Sequence, residues 1–134
     1  MNKQITVPFQ VTLWDLKPFD ETPGNLTLSR GTVKKSFEGD FKGESTGEIL
    51  MYSAEDGSAG YTIMDKVSGE LNGRAGTFVL IHGGTHTPQE TSRALGIIAP
   101  NSGTGELRGI SGTSEFKSNE NGKSILLDYT LTGS

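Results

Sequence analysis

Glycine or proline interrupts this chain so regularly that its longest stretch free of both, residues 123–132, is ten residues long. An average helix of about 11 to 12 residues has no place to form without an interior glycine, which costs about 1 kcal/mol relative to alanine. The interrupted segments alternate instead. Ile5, Val7, Phe9, Val11 and Leu13 share one side of the first segment, with Thr6, Gln10 and Thr12 on the other, the period of two of a half-buried strand. The pattern predicts an all-β chain.

Turn residues divide the rest at Pro23-Gly24, Gly39-Asp40, Asp56-Gly57, Asn72-Gly73, the run from His82 to Glu90, Pro100 to Gly103, and Asn121-Gly122. Glycine there supplies positive φ, and Asn or Asp tolerates it. These breaks predict eight strands, at 4–15, 26–38, 41–53, 60–71, 75–82, 92–99, 107–116 and 124–132. Connections this short favour antiparallel neighbours, because a parallel crossover takes about a dozen residues or more. The simplest assembly is one domain over residues 1–134, a single eight-stranded antiparallel meander barrel whose interior is filled by side chains or holds one small ligand. A two-sheet sandwich is the alternative arrangement.

Composition narrows the function classes. The hydrophobic fraction is 32%, and 19 glycines among 134 residues replace some of the usual bulk. Net charge is −4 and the basic residues are scattered, so there is no stripe to neutralise a phosphate backbone and no nucleic-acid partner is expected. The lack of cysteine excludes disulfides, thiolate metal sites and a cysteine nucleophile, and suits a reducing compartment. MNKQITVPFQ alternates polar and apolar residues where a signal peptide would be continuously apolar, and no window reaches the roughly 18 apolar residues of a membrane span. A cytoplasmic protein without membrane contact is expected.

The chain also resembles itself. GELNGRAGT at 69–77 matches GELRGISGT at 105–113 in six of nine places, and GDFKGESTG at 39–47 follows the same form more loosely. A phosphate cradle is needed once and opens a helix, which Gly109 and Gly112 argue against. Repetition at offsets of 30 and 36 residues, about two strands and their loops, predicts one structural device used three times at one end of the barrel. Phe41, Leu71 and Leu107 are the expected plugs of that end. The loops 16–25, 54–59, 83–91 and 117–123 then surround the mouth.

FQVTLWD at 9–15, SFEGDFKGES at 36–45, GTFVLIHGG at 76–84 and GTGELRGISG at 103–112 carry a resemblance to an uncharacterised bacterial family known only as a domain of unknown function. Its barrels are similar to those of plant allene oxide cyclase and dirigent proteins. The resemblance implies an allene oxide cyclase-like barrel with a partly apolar interior, often in homo-oligomers, and it implies no mechanism. The cyclase places a cysteine in its cavity, and this chain has none.

Several residues are candidates for chemistry. His82, His86 and Glu90 invite a metal, but Gly83-Gly84 between the histidines argues for a loop, so no metal or cofactor is assigned. His82 alternates with Phe78 and Leu80 and is expected in the pocket. Glu44, Glu48 and Asp65 matter if they point inward, where burial would perturb them. The third strand is ambiguous, Ile49 and Met51 competing with Leu50 and Tyr52 for the core face. Trp14, Tyr52, Tyr61 and Phe116 fall near the mouth, suited to a ligand rim or to packing. The leading reading is a small apolar or amphipathic molecule bound inside the barrel, with His82, Tyr61, Glu48, Trp14 and Tyr52 as its contacts. An isomerase or cyclase using the same cavity, with Glu48 or His82 moving a proton, is a second reading. A non-catalytic oligomeric scaffold filled by its own side chains is a third. A cavity of roughly 300 Å³ or more separates the first two from the last.

Overall fold

The computed structural model describes residues 2–22, 26–120 and 122–131; the predicted turns at Pro23-Gly24 and Asn121, and the residues beyond 131, lie outside them. Eight strands run in the predicted order: β1 (Lys3–Thr22), β2 (Leu26–Phe37), β3 (Phe41–Ala54), β4 (Ala59–Leu71), β5 (Arg74–Thr87), β6 (Glu90–Ile98), β7 (Ile110–Asn119) and β8 (Gly122–Leu131). Each pairs antiparallel with its chain neighbours, and β1 also pairs with β8, so one sheet closes on itself. No described residue is in an α-helix, and no helix is long and apolar enough to cross a membrane.

Two strands are longer than predicted, at the mouth end of the barrel. β1 continues to Thr22 and β5 to Thr87, so most of the segments expected as loops 16–25 and 83–91 are strand. Pro18 is accommodated beside an irregularity in the β1–β2 register. Gly83 continues β5 because a Cβ there would lie 2.5 Å from the carbonyl oxygen of Tyr61.

A second irregularity, between Val11 and Leu13, changes which side chains enter the barrel. Up to Val11 the odd residues of β1 face inward; past the bulge, Trp14 lies opposite the inward Val33. Leu13 is thereby turned out and exposed, which corrects its assignment to the core face.

The core fills one end. Phe41, Leu71 and Leu107 are 3%, 1% and 0% exposed, as expected of plugs, and pack with Val7, Phe78 and Ile110. Phe116, Phe9, Phe37, Phe41 and Phe78 form a chain of neighbouring rings, 5.5 to 6.0 Å between successive centroids. Such pairs add about 0.5–1.5 kcal/mol each beyond the area they bury.

The three glycine motifs do lie at this closed end, but in two forms. The first two face each other across β3 and β4, Phe41 opposite Leu71 and Gly43 opposite Gly69. A Cβ on Gly69 would lie 2.3 Å from the carbonyl oxygen of Lys42, so only glycine lets the strands approach there. The third forms a 3₁₀ turn, Gly105–Leu107, that drops Leu107 into the barrel. Residues 99–107 take over where β6 stops pairing with β5: Thr104 N donates to Thr77 O, and Ser102 Oγ accepts from Val79 N. Burying a leucine completely outweighed repeating the same corner.

On the outer face, Leu50, Met64, Leu95 and Ile97 are half-exposed. Register aligns them in two rows across β3 to β6, Met64–Ile81–Ile97 and Leu50–Thr62–Gly83–Leu95.

Candidate functional site

Three strands carry a buried, titratable polar residue in the phase of their core positions. β2 places Lys35 between Val33 and Phe37, β4 places Asp65 between Ile63 and Val67, and β5 places His82 two residues past Leu80. All three are more than nine-tenths buried. Their side chains meet above the phenylalanine core. Asp65 Oδ2 accepts from Lys35 Nζ at 2.9 Å and from His82 Nε2 at 2.6 Å. A carboxylate can only accept, so Nε2 carries the imidazole proton, and Nδ1 accepts from the hydroxyl of Tyr61 at 3.1 Å. Phe116 stacks on His82 at 4.3 Å between centroids, and Lys35 Nζ lies 5.8 Å from the same ring.

The electrostatics follow from burial and pairing. Burial works to raise the Asp65 pKa, but the His82 N–H and the Lys35 ammonium outweigh it and hold the carboxyl below its usual value. Burial lowers the His82 pKa despite the bond to Asp65, and the Lys35 charge acts in the same direction. Burial, with the Asp65 charge, pushes the Tyr61 hydroxyl up to about 12. At neutral pH the cluster is therefore an ion pair, a neutral imidazole and a protonated phenol. Among the described residues, Ser45 Oγ, Asp65 Oδ1 and Ser114 Oγ are buried without a hydrogen-bond partner.

This cluster floors a cavity of about 870 Å³ at the open end. Its walls include Val11, Val33, Ile49, Ile63, Ala94 and Phe116; Lys117 and Lys123 stand among its polar lining. Lys35, Tyr61 and His82 reach the cavity, with Asp65 behind them.

Of the residues expected to contact a ligand, His82, Tyr61 and Trp14 line this cavity. Trp14 is there because the β1 bulge turns it, and 56% of it stays exposed. Two expectations are corrected. Glu48 is exposed on the outer face and accepts from Thr32 Oγ1 at 2.7 Å, because Phe41, Ser45 and Ile49 fix the odd residues of β3 inward. Tyr52 shares that outer phase, its ring lying against Gly60 in a separate depression with Phe19 and Leu50. Ile49 and Met51 therefore hold the core face, and Leu50 is exposed. Glu44 is exposed as well; Asp65 is the acid that points inward. His86 is exposed near the end of β5, apart from the buried His82, and no cluster of His, Asp and Glu suited to a metal occurs among the described residues. Lys35 joins these residues in the site without being among the sequence candidates, although the alternation of Val33, Lys35 and Phe37 marks it as inward.

Comparison with known proteins adds a family of unknown function. No curated protein matches the sequence. A solved structure from Shewanella oneidensis MR-1, described as a protein with unknown function from the DUF3224 family, superposes with a TM-score of 0.86 at 30% identity, covering 100% of both chains. The family model described as "Protein of unknown function (DUF3224)" matches residues 5–131, so the chain belongs to the DUF3224 family.

Proposed function

We propose that the protein binds one small apolar or amphipathic molecule inside the barrel, admitted at the end opposite the glycine motifs. The observation that carries this is the cavity of about 870 Å³, walled by apolar side chains and floored by Lys35, Tyr61 and His82. Small-molecule sites have this character, roughly 300–1,000 Å³ with a few polar groups that orient the guest. A scaffold filled by its own side chains does not fit a barrel whose open half is hollow. Native mass spectrometry of protein purified without detergent tests the reading: one retained small molecule per chain supports it. Failure to retain any, and to take up any of a panel of neutral aromatic or aliphatic compounds in calorimetry, refutes it. A cytoplasmic location belongs to the same reading, supported by a sequence that makes no use of cysteine, and cell fractionation checks it.

Copies of the chain are also proposed to associate through the apolar rows on β3 to β6, since half-exposed Leu50, Met64, Leu95 and Ile97 in register make one contiguous patch. Sedimentation velocity is the test. Met64→Lys should lower the sedimenting mass of an oligomeric wild type, and a wild type that sediments as a monomer contradicts the proposal.

A further inference from the structure

Each of the three residues that run from the cavity inward faces a glycine on a neighbouring strand. Tyr61 lies opposite Gly84, Asp65 opposite Gly47, and His82 opposite Gly96. A Cβ on Gly47 would lie 2.2 Å from Asp65 Oδ1, and one on Gly96 would lie 2.6 Å from His82 Cβ. Glycine inside a strand weakens it, and a buried ionic cluster is no more stable than apolar residues of similar volume. Two destabilising choices thus coincide at one place, and together they fix Asp65, His82 and Tyr61 in a line.

That line has a direction. Asp65 sets the His82 tautomer, His82 Nδ1 takes the only hydroxyl proton of Tyr61, and the Tyr61 oxygen therefore remains an acceptor. Lys35, which lines the same cavity, uses one of its three donors on Asp65. The floor thus combines an acceptor backed by a base with a cation in the same cavity lining, and the guest group complementary to it is a hydroxyl whose oxygen can bear negative charge.

Resting on the binding reading above, we propose that Tyr61, His82 and Asp65 form a proton relay that ionises a weakly acidic hydroxyl, a phenol or an enol, on a molecule held in the cavity. The guest O–H gives its proton to Tyr61 Oη as Tyr61 passes its own to His82 Nδ1. Tyr61 ends unchanged, the guest is an oxyanion in the cavity that Lys35 also lines, and His82 is an imidazolium against the Asp65 carboxylate. No electrons move and no other reactant is needed. The high Tyr61 pKa keeps the phenol protonated until a guest arrives, and neutral His82 is free to accept. Asp65 and Tyr61 on β4 and Lys35 on β2 act directly on His82, and Glu115 and Lys117 on β7 and Lys123 on β8 face the same cavity.

The test uses 4-nitro-1-naphthol, whose absorbance reports ionisation, and its methyl ether, which has no proton to give. Calorimetry follows binding of both, absorbance the naphthol charge, and the Cε1–H resonance of His82 the proton's destination. The expected result is a bound naphthol that ionises about one pH unit or more below the free compound. His82 should move to its protonated position with the naphthol and stay put with the ether. Tyr61→Phe should abolish both changes in the naphthol it still binds, because no hydroxyl is left to pass the proton to His82. Naphthol that binds in its neutral form, or as naphtholate with His82 still neutral, overturns the relay and leaves the binding reading intact. If neither compound binds, the relay fails for this guest class, and binding must then stand on the native mass spectra alone.

Discussion

Replacing Lys35 by methionine tests whether the ion pair is as buried as the geometry requires. Methionine follows much of the lysine stem, so the change removes chiefly a charge held 2.9 Å from Asp65 at 6% and 1% exposure. Removing one partner of a buried pair typically costs 3–5 kcal/mol, because the other charge stays buried. Here the His82 N–H still reaches the carboxylate at 2.6 Å, which places the expected loss at the lower end, about 3 kcal/mol. With a urea dependence of about 1.5–2 kcal/mol per molar, the unfolding midpoint should fall by about 1.5–2 M at pH 8. The variant should also change His82. Lys35 lowers the affinity of that imidazole for a proton, so without it His82 should titrate at higher pH, forming a new ion pair with Asp65. The cost of the substitution should accordingly shrink as pH falls from 8 to 6. Urea unfolding across that range, with an NMR titration of the two histidines, reads both effects. A loss under about 1 kcal/mol at pH 8 with an unmoved His82 titration would mean that Lys35 is solvated, and the reasoning would fail.

Two further expectations concern the same cluster. The His82 and Asp65 pKa values are both lowered by folding, so the unfolded chain binds the extra proton as acid is added. The His82 contribution is therefore complete above its unfolded pKa of about 6.5 and fades below it, at up to about 1.4 kcal/mol per pH unit; that of Asp65 is lost only below about 4. Thermal melts between pH 7.5 and 5 should show the first loss in wild type and a flatter profile in His82→Gln. Gly47→Ala should destabilise by about 2–4 kcal/mol, since its Cβ would collide with Asp65 Oδ1, and should cost clearly less in an Asp65→Ser background, where only the movable end of Ile63 is close. Equal costs in both backgrounds, measured by urea unfolding, would locate the clash elsewhere.

Much of the fold was legible in the sequence because short-range turn chemistry and period-two alternation were enough to place eight strands and their order. What alternation could not reveal was a change of phase within a strand. The bulge after Val11 turns Leu13 out and brings Trp14 to the rim, and it depends on pairing with β2. Gly83 and Gly84 read as a loop because glycine usually breaks strands, whereas here they let β5 pass Tyr61 and continue to Thr87. The site was half visible. His82 and Asp65 declared themselves by polar character in an apolar phase, and Lys35 carried the same signal within a VKK run that reads as solvated. Glu48 was misplaced because β3 offers apolar residues on both faces, one for the core and one for the outer patch, so its phase follows only once Phe41 is seated opposite Leu71.

The central claim is that the open half of the barrel is a binding cavity, and filling it is the most direct test. Ala94 is 9% exposed and lines the cavity opposite Phe116. Ala94→Phe should occupy part of the empty volume at a stability change below about 1.5 kcal/mol, because it fills space without displacing packed neighbours. Calorimetric titration of the molecule retained by the purified wild type should then show affinity at least about tenfold weaker in the variant. Undiminished affinity in a normally folded Ala94→Phe would contradict the account.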